Sequence, residues 1–132
     1  MIFYKKNYEK KESKITFKIG DYYQVFNLKE IAYLKADGSY TRVVMNAKGK
    51  HPVTLALNLK TVSSYLDDSF YRIHKSYVVN LDCIIRLYGN RVEISTGEIL
   101  DVSLTYKSVL WNILNVVTGG KDTKEKQGFT KE

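Results

Sequence analysis

Short strand-like runs, separated by turn signals at regular intervals, are the feature that most constrains the fold of this chain. From Lys14 onward, Ile15, Phe17 and Ile19 alternate with polar residues, which is typical of a strand with one exposed face. Turn-favouring pairs then interrupt β-branched and aromatic runs: Gly20-Asp21, Asp37-Gly38, Lys48-Gly49, Gly89-Asn90 and Thr96-Gly97. This spacing predicts a mainly β fold, either a sandwich or an assembly of small antiparallel sheets.

Two segments have the period of a helix instead. Leu59, Val62 and Leu66 follow Asn58, a residue favoured at helix N-termini, and predict a short helix. After Ser103, apolar residues recur at helical spacing over residues 106–117 and predict a longer helix that ends at Gly119-Gly120.

Length and charge indicate one domain with two tails. The chain has 132 residues and a net charge of +7, which is unevenly distributed. Residues 1–14 hold five lysines against two glutamates, whereas residues 15–117 hold twelve basic and nine acidic side chains. We expect a basic arm at 1–14, one domain at 15–117, and a polar, disordered tail at 118–132.

The excess of basic residues favours a polyanionic partner such as DNA, RNA or an anionic membrane surface, although a soluble basic protein without such a partner has the same composition. The single cysteine, Cys83, lies in an apolar run, and we expect a buried, reduced thiol. With no signal-peptide pattern and no apolar run approaching the roughly 20 residues of a membrane span, the expected location is the cytoplasm, without membrane attachment.

No recognisable pattern of catalytic or cofactor-binding residues is found in the sequence. With two histidines and one cysteine, the chain shows no spacing typical of a metal site. Glycine-rich phosphate-binding loops are absent as well. His74 and Ser76 could be imagined as base and nucleophile, yet successive strand residues point to opposite faces. We therefore expect neither an enzyme nor a bound cofactor or metal.

The segment FYRIHKSYVVN at residues 70–80 is the most informative part of the sequence. It resembles the motif F-x-R-x-H-[RK]-S-x-[LV]-V-N of LytTR domains, the DNA-binding output domains of many bacterial response regulators, and fills every position of it. The resemblance continues in order through IAYLKADGSYTRVV at 31–44, NLKTVSSYL at 58–66 and ILDVSLTY at 99–106. It covers roughly residues 15–117.

This resemblance implies a fold and a partner. The fold is an elongated LytTR-like β-β-β sandwich of three small antiparallel sheets, with one short helix and a C-terminal helix. The partner is double-stranded promoter DNA, read by loops in successive major grooves without a recognition helix. Relatives bind repeated half-sites as pairs, so self-association on DNA is expected. A receiver domain often precedes such a module, and here a separate receiver or sensor protein could take that role.

Three sets of contact residues follow from the resemblance, with Arg91 beside a turn as a further candidate. The sets are Tyr40, Thr41 and Arg42; His74, Lys75 and Ser76; and Ser103, Thr105, Tyr106 and Lys107. Thr41, Lys75 and Thr105 are the expected base contacts, although Lys75 could contact a phosphate instead. Arg42 could pair with a phosphate or with guanine, and the others position the DNA backbone. The alternatives are an exposed strand for the first set and for Arg91, a core histidine bonded to a carbonyl for His74, and a helix cap for Ser103.

The third set departs from the family, because relatives commonly follow the serine with one or two arginines. Leu104 and Thr105 carry no charge, which argues against strong guanine recognition there. This departure motivates a rival hypothesis, a protein-interaction module of the same fold that sequesters another regulator. Binding of RNA shares the same charge, but no RNA-binding motif is recognised.

Overall fold

The structure is a computed structural model that describes residues 13–119. Residues 1–12, which are most of the expected arm at 1–14, and residues 120–132, which are most of the expected tail, lie outside the described residues. The strands are β1 (Lys14–Ile19), β2 (Tyr22–Asn27), β3 (Ile31–Asp37), β4 (Tyr40–Met45), β5 (Val53–Leu55), β6 (Phe70–His74), β7 (Tyr77–Asn80), β8 (Ile84–Tyr88), β9 (Arg91–Ile94) and β10 (Ile99–Asp101); the α-helices are α1 (Leu59–Ser63) and α2 (Leu104–Ile113). Short 3₁₀ turns at Leu28–Glu30 and Leu81–Cys83 join β2 to β3 and β7 to β8.

The strands of this region form three antiparallel sheets. The largest has the order β5-β4-β3-β7-β6, and the other two have the orders β1-β2 and β10-β9-β8. The predicted mainly β fold of small antiparallel sheets is therefore confirmed.

Each face of the five-stranded sheet covers a separate core, because residues alternate between the two faces along a strand. Leu34 and Val43 pack on one face with β1, β2 and α1. Tyr33 and Val79 pack on the other face with the three-stranded sheet and α2. The middle sheet is thus buried on both sides, and we name these the first and second face.

Both helices begin near the predicted residues, but each ends early. Asn58 caps α1, its side chain accepting a hydrogen bond from the Thr61 backbone N–H at 2.8 Å. The longer helix ends at Ile113 and not at Gly119-Gly120, so the predicted end was wrong. Asn115 adopts a φ of 54°, and this left-handed conformation stops the helix before the glycines.

The thiol of Cys83 is buried in the core on the second face, as predicted. Burial raises the pKa of this thiol, which keeps it protonated and unreactive. Among residues 13–119, no helix is long and apolar enough to cross a membrane.

Candidate nucleic-acid interface

The turn between β6 and β7 is held in shape by the side chain of Arg72. Its Nε donates to the carbonyl of His74 at 2.9 Å, and its Nη2 donates to the carbonyl of Lys75 at 2.6 Å. The backbone N–H of Ser76 donates to His74 Nδ1 at 3.1 Å. Because Nδ1 accepts this bond, Nε2 is the ring nitrogen able to donate outward. Lys75 lies exposed at the tip of the turn.

A row of polar side chains crosses the second face of the middle sheet at the level of this turn. In the ladder, Arg42 lies opposite both Thr54 and Lys35, and Lys35 lies opposite Tyr77. A register shift in β6 places His74 opposite Tyr77 as well, with the two rings 5.4 Å apart. Residues opposite each other on antiparallel strands share a face. These five residues, the polar row, bring two exposed cations beside the turn.

The first contact loop, at residues 38–42, lies at the same end of the sheet as this turn. The backbone N–H of Ala36, just before the loop, donates to the carbonyl of Ser76 at 2.9 Å. Tyr40 is half-exposed, and Arg42 forms an exposed ion pair with Asp37 at 3.4 Å. Exposed pairs of this kind are weak, so the guanidinium can exchange its partner for a phosphate.

The third contact loop, at residues 103–107, is tied to the same turn from the other side. The backbone N–H of Ser103 donates to the carbonyl of Ile73 at 2.9 Å. Ser103 occupies the N-cap position of α2, but its side chain makes no cap hydrogen bond. The predicted helix-capping role of its hydroxyl is therefore not supported, which leaves the helix N-terminus open toward a phosphate.

Two cations near the third loop already have partners on the protein. Lys107 Nζ donates to Asn90 Oδ1 at 2.9 Å and lies 5.3 Å from the centre of the Trp111 ring. Arg91 Nε is 3.3 Å from Asp101 Oδ1 in an exposed ion pair. Both cations are thus held against the three-stranded sheet and the side of α2.

Two aromatic side chains support this end of the fold. Tyr106, predicted as a contact, is only partly exposed and packs edge-on against Tyr71, with ring centres 6.4 Å apart. Burial raises the pKa of Tyr71. Tyr33, below the polar row, donates its hydroxyl to Glu98 at 2.7 Å, and burial together with this bond raises its pKa. Tyr33 and Tyr71 therefore remain neutral and support the surface above them.

The structure does not support Thr41 as a base contact. Its side chain points into the core on the first face, is fully buried, and donates to the carbonyl of Leu57 at 2.8 Å. A side chain without exposed surface cannot reach a base edge. His74, in contrast, is partly exposed and accepts from an N–H, so it is not a core histidine bonded to a carbonyl.

Sequence reasoning missed two residues of this surface, Lys35 and Arg72. Lys35 belongs to the polar row and stands between Tyr77 and Arg42, of which Arg42 is a candidate contact. The arginine of the FYRIHKSYVVN segment was visible as a motif position, and the two carbonyls that it bridges show its role in shaping the turn.

Comparison with known proteins identifies the family of the chain. The family model of the LytTr DNA-binding domain matches residues 21–115. The chain belongs to the LytTR family of DNA-binding domains. This is not an enzyme family, and the LytTR resemblance of the sequence is thereby confirmed. No curated protein matches the chain.

Among solved structures, the chain is similar to the LytTr DNA-binding domain of a Bacillus cereus protein described as a methyl-accepting/DNA response regulator. The two are 25% identical with a TM-score of 0.65, and the match covers 80% of this chain and 100% of that chain. The match confirms the β-β-β arrangement of the LytTR fold.

Proposed function

We propose that this LytTR domain binds double-stranded promoter DNA at specific sequences and thereby regulates transcription. One observation carries the proposal. The backbone hydrogen bonds from Ala36 to Ser76 and from Ser103 to Ile73 hold the three contact loops close to the β6–β7 turn, although the loops are far apart in the sequence. Loops joined in this way can enter successive major grooves in a fixed relation to each other.

Residues of the surface then divide by role. Lys75, exposed at the tip of the second loop, is the base contact, together with Thr105 on the first turn of α2. Contacts to phosphates come from Lys35 and Arg42 in the polar row, from Arg91 and Lys107, and from Tyr40 and the hydroxyls of Ser76 and Ser103. His74 Nε2 donates to the DNA backbone, and Tyr106 supports the third loop.

The regulator acts on repeated half-sites, with two copies on one promoter in the cytoplasm. A receiver or sensor on another polypeptide could supply the signal. Half-sites about one helical turn apart, about 10 base pairs, would place the two copies on the same side of the duplex.

Selection of bound duplexes from a random DNA pool tests the proposal with the full chain. We expect enrichment of a repeated half-site, and binding to the selected duplex well above binding to a scrambled one. In Lys75→Gln, discrimination at one base pair should fall by about 1 to 3 kcal/mol, whereas loss of a phosphate contact would weaken all duplexes equally. Lys60→Gln, an exposed change on α1, is the matched control. A pool without enrichment would reject sequence-specific binding.

A further inference from the structure

Leu104 is an apolar side chain placed where the surface is otherwise polar. It is the first residue of α2, immediately after the backbone bond that fixes the helix against β6, and 75% of its surface is exposed. Single exposed leucines are ordinary on proteins. This one lies on a loop that the proposed function directs into a major groove.

The cations around Leu104 do not cover it or replace it as a groove contact. Lys107 is bonded to Asn90 and lies near the Trp111 ring, and Arg91 is paired with Asp101. On the first turn of α2, Leu104 and Thr105 are the exposed side chains nearest to the helix N-terminus, and neither is charged. The exposed side chains of the first turn can therefore contact a groove only through methyl groups and one hydroxyl group.

In the major groove, thymine is the natural base that presents a methyl group, whereas guanine, cytosine and adenine present hydrogen-bonding atoms. An apolar side chain pressed against those atoms would desolvate them without a replacement bond, which is unfavourable. Against a thymine methyl, both partners lose apolar surface to water, which is favourable.

We propose that Leu104 is a specificity-determining residue that recognises the C5 methyl group of a thymine in the target site. The inference rests on the proposed function and refines it, because it assigns an A·T pair to the base position that the third loop reads. A leucine here selects thymine through shape and apolar contact and not through hydrogen bonds.

Replacing thymine by deoxyuridine removes only this methyl group, so it tests the contact directly. The duplex selected with the wild-type chain is remade with deoxyuridine at one thymine position at a time, and the Kd of each duplex is measured. We expect one position at which wild type binds about fourfold more weakly, the loss that corresponds to one buried methyl group. For Leu104→Ala, thymine and deoxyuridine at that position should bind equally.

Two further variants complete the experiment. Leu104→Arg should shift the preference at this position from thymine to guanine, which offers the acceptors that a guanidinium prefers. Val25→Ala, an exposed apolar residue of β2 on the first face, should keep the wild-type response to deoxyuridine. Since Leu104 is so exposed, its variants should unfold at the wild-type midpoint, and this is checked by denaturation.

The outcomes separate the inference from the proposed function. If wild type selects a site but deoxyuridine has no effect at any position, Leu104 does not read a methyl group and the inference fails alone. It also fails if Leu104→Ala keeps the deoxyuridine effect, as it would if the leucine were a wedge between bases and its loss weakened the thymine and deoxyuridine duplexes by the same factor. If no duplex is selected at all, the proposed function fails together with it.

Discussion

At the scale of single residues, Thr41 is a position where a structural role and a DNA-binding role can be distinguished by experiment. Its hydroxyl is buried and bonded to the carbonyl of Leu57, although the resemblance to the family suggested a base contact. We expect Thr41→Val, which keeps the shape and removes the hydrogen bond, to lower the free energy of unfolding by about 1 kcal/mol. Base preference in the duplex selection should stay unchanged.

Thr16→Val is the matched control, because Thr16 is exposed on β1 opposite Val25. This change should alter the free energy of unfolding by less than about 0.5 kcal/mol. Denaturant unfolding measures both effects. An altered base preference in Thr41→Val with unchanged stability would show instead that Thr41 contacts DNA.

Asn80 is a buried polar residue that links the start of β3 to the 3₁₀ turn after β7. Its Nδ2 donates to the carbonyl of Ile31 at 2.9 Å, and its Oδ1 accepts from the Asp82 N–H at 3.0 Å. Asn80→Ala removes both bonds, so we expect the free energy of unfolding to fall by about 2 kcal/mol, at about 1 kcal/mol for each bond. Asn112→Ala, exposed on α2, should cause no loss. Equal stability of both variants would contradict this assignment.

At the scale of elements, the β3–β4 hairpin shows how far a register could be predicted. The pair Asp37-Gly38 located the hairpin, but a turn centred on it would pair Lys35 with Tyr40. In the structure, Asp37 itself pairs with Tyr40, and Lys35 pairs with Arg42. Gly38, with a φ of 62°, takes the first central position of the two-residue turn, where type II′ geometry requires a positive φ. The turn signal thus predicted the position of the hairpin but not its register.

A repeated turn was also visible only in the structure. Asn27-Leu28 and Asn80-Leu81 each end a strand and start a 3₁₀ turn, and each asparagine accepts a hydrogen bond from the backbone N–H two residues later. The strand patterns predicted the strands before and after these positions. They could not predict the turns, because one asparagine between two apolar runs is compatible with several kinds of connection.

The β6–β7 turn depends on one side chain, which gives a prediction at this scale. Arg72→Lys keeps the charge but loses the fork that bridges the carbonyls of His74 and Lys75. Ordering one released residue on binding costs about 1 to 2 kcal/mol, so we expect about tenfold weaker binding to the selected duplex. Affinity and unfolding are both measured, and the loss of affinity should exceed what the loss of stability explains.

The matched control is Arg86→Lys, because Arg86 is exposed on β8 and paired with Glu93 at 3.0 Å, away from the contact loops. The Tyr88 hydroxyl and Arg86 together lower the pKa of Glu93, so this cluster stays charged at neutral pH with either cation. Wild-type affinity is expected for Arg86→Lys. If both arginine variants lose affinity equally, Arg72 acts through general stability and not through the turn.

At the scale of the whole molecule, alternation along the strands predicted exposed and buried faces but not which sheets would cover them. Tyr33 and Leu34 are both buried, on opposite faces of the middle sheet. The residues around them in the sequence do not predict that both faces are covered. The three-sheet arrangement came from the family resemblance. The joining of the contact loops depends on the pairing of β3 with β7, a contact between distant parts of the chain.

The net charge of +7 leads to a prediction about the molecule as a whole. If Lys35, Arg42, Arg91, Lys107 and further cations neutralise about six phosphates, log K should fall with log salt at a slope of roughly −5, because each released counterion contributes about −0.9. Lys35→Gln should make the slope shallower by about 1 unit, with similar weakening for selected and scrambled duplexes.

Lys18→Gln removes the same charge from the exposed side of β1, across the molecule on the first face. If the interface lies on the second face, this control keeps the wild-type slope, because a charge more than about 10 Å from the DNA is largely screened at 0.1 M salt. Titrations at several salt concentrations compare the three proteins. Equal slopes for Lys35→Gln and Lys18→Gln would mean that the polar row does not face the DNA, and binding would then depend on net charge and not on the surface where the three loops meet.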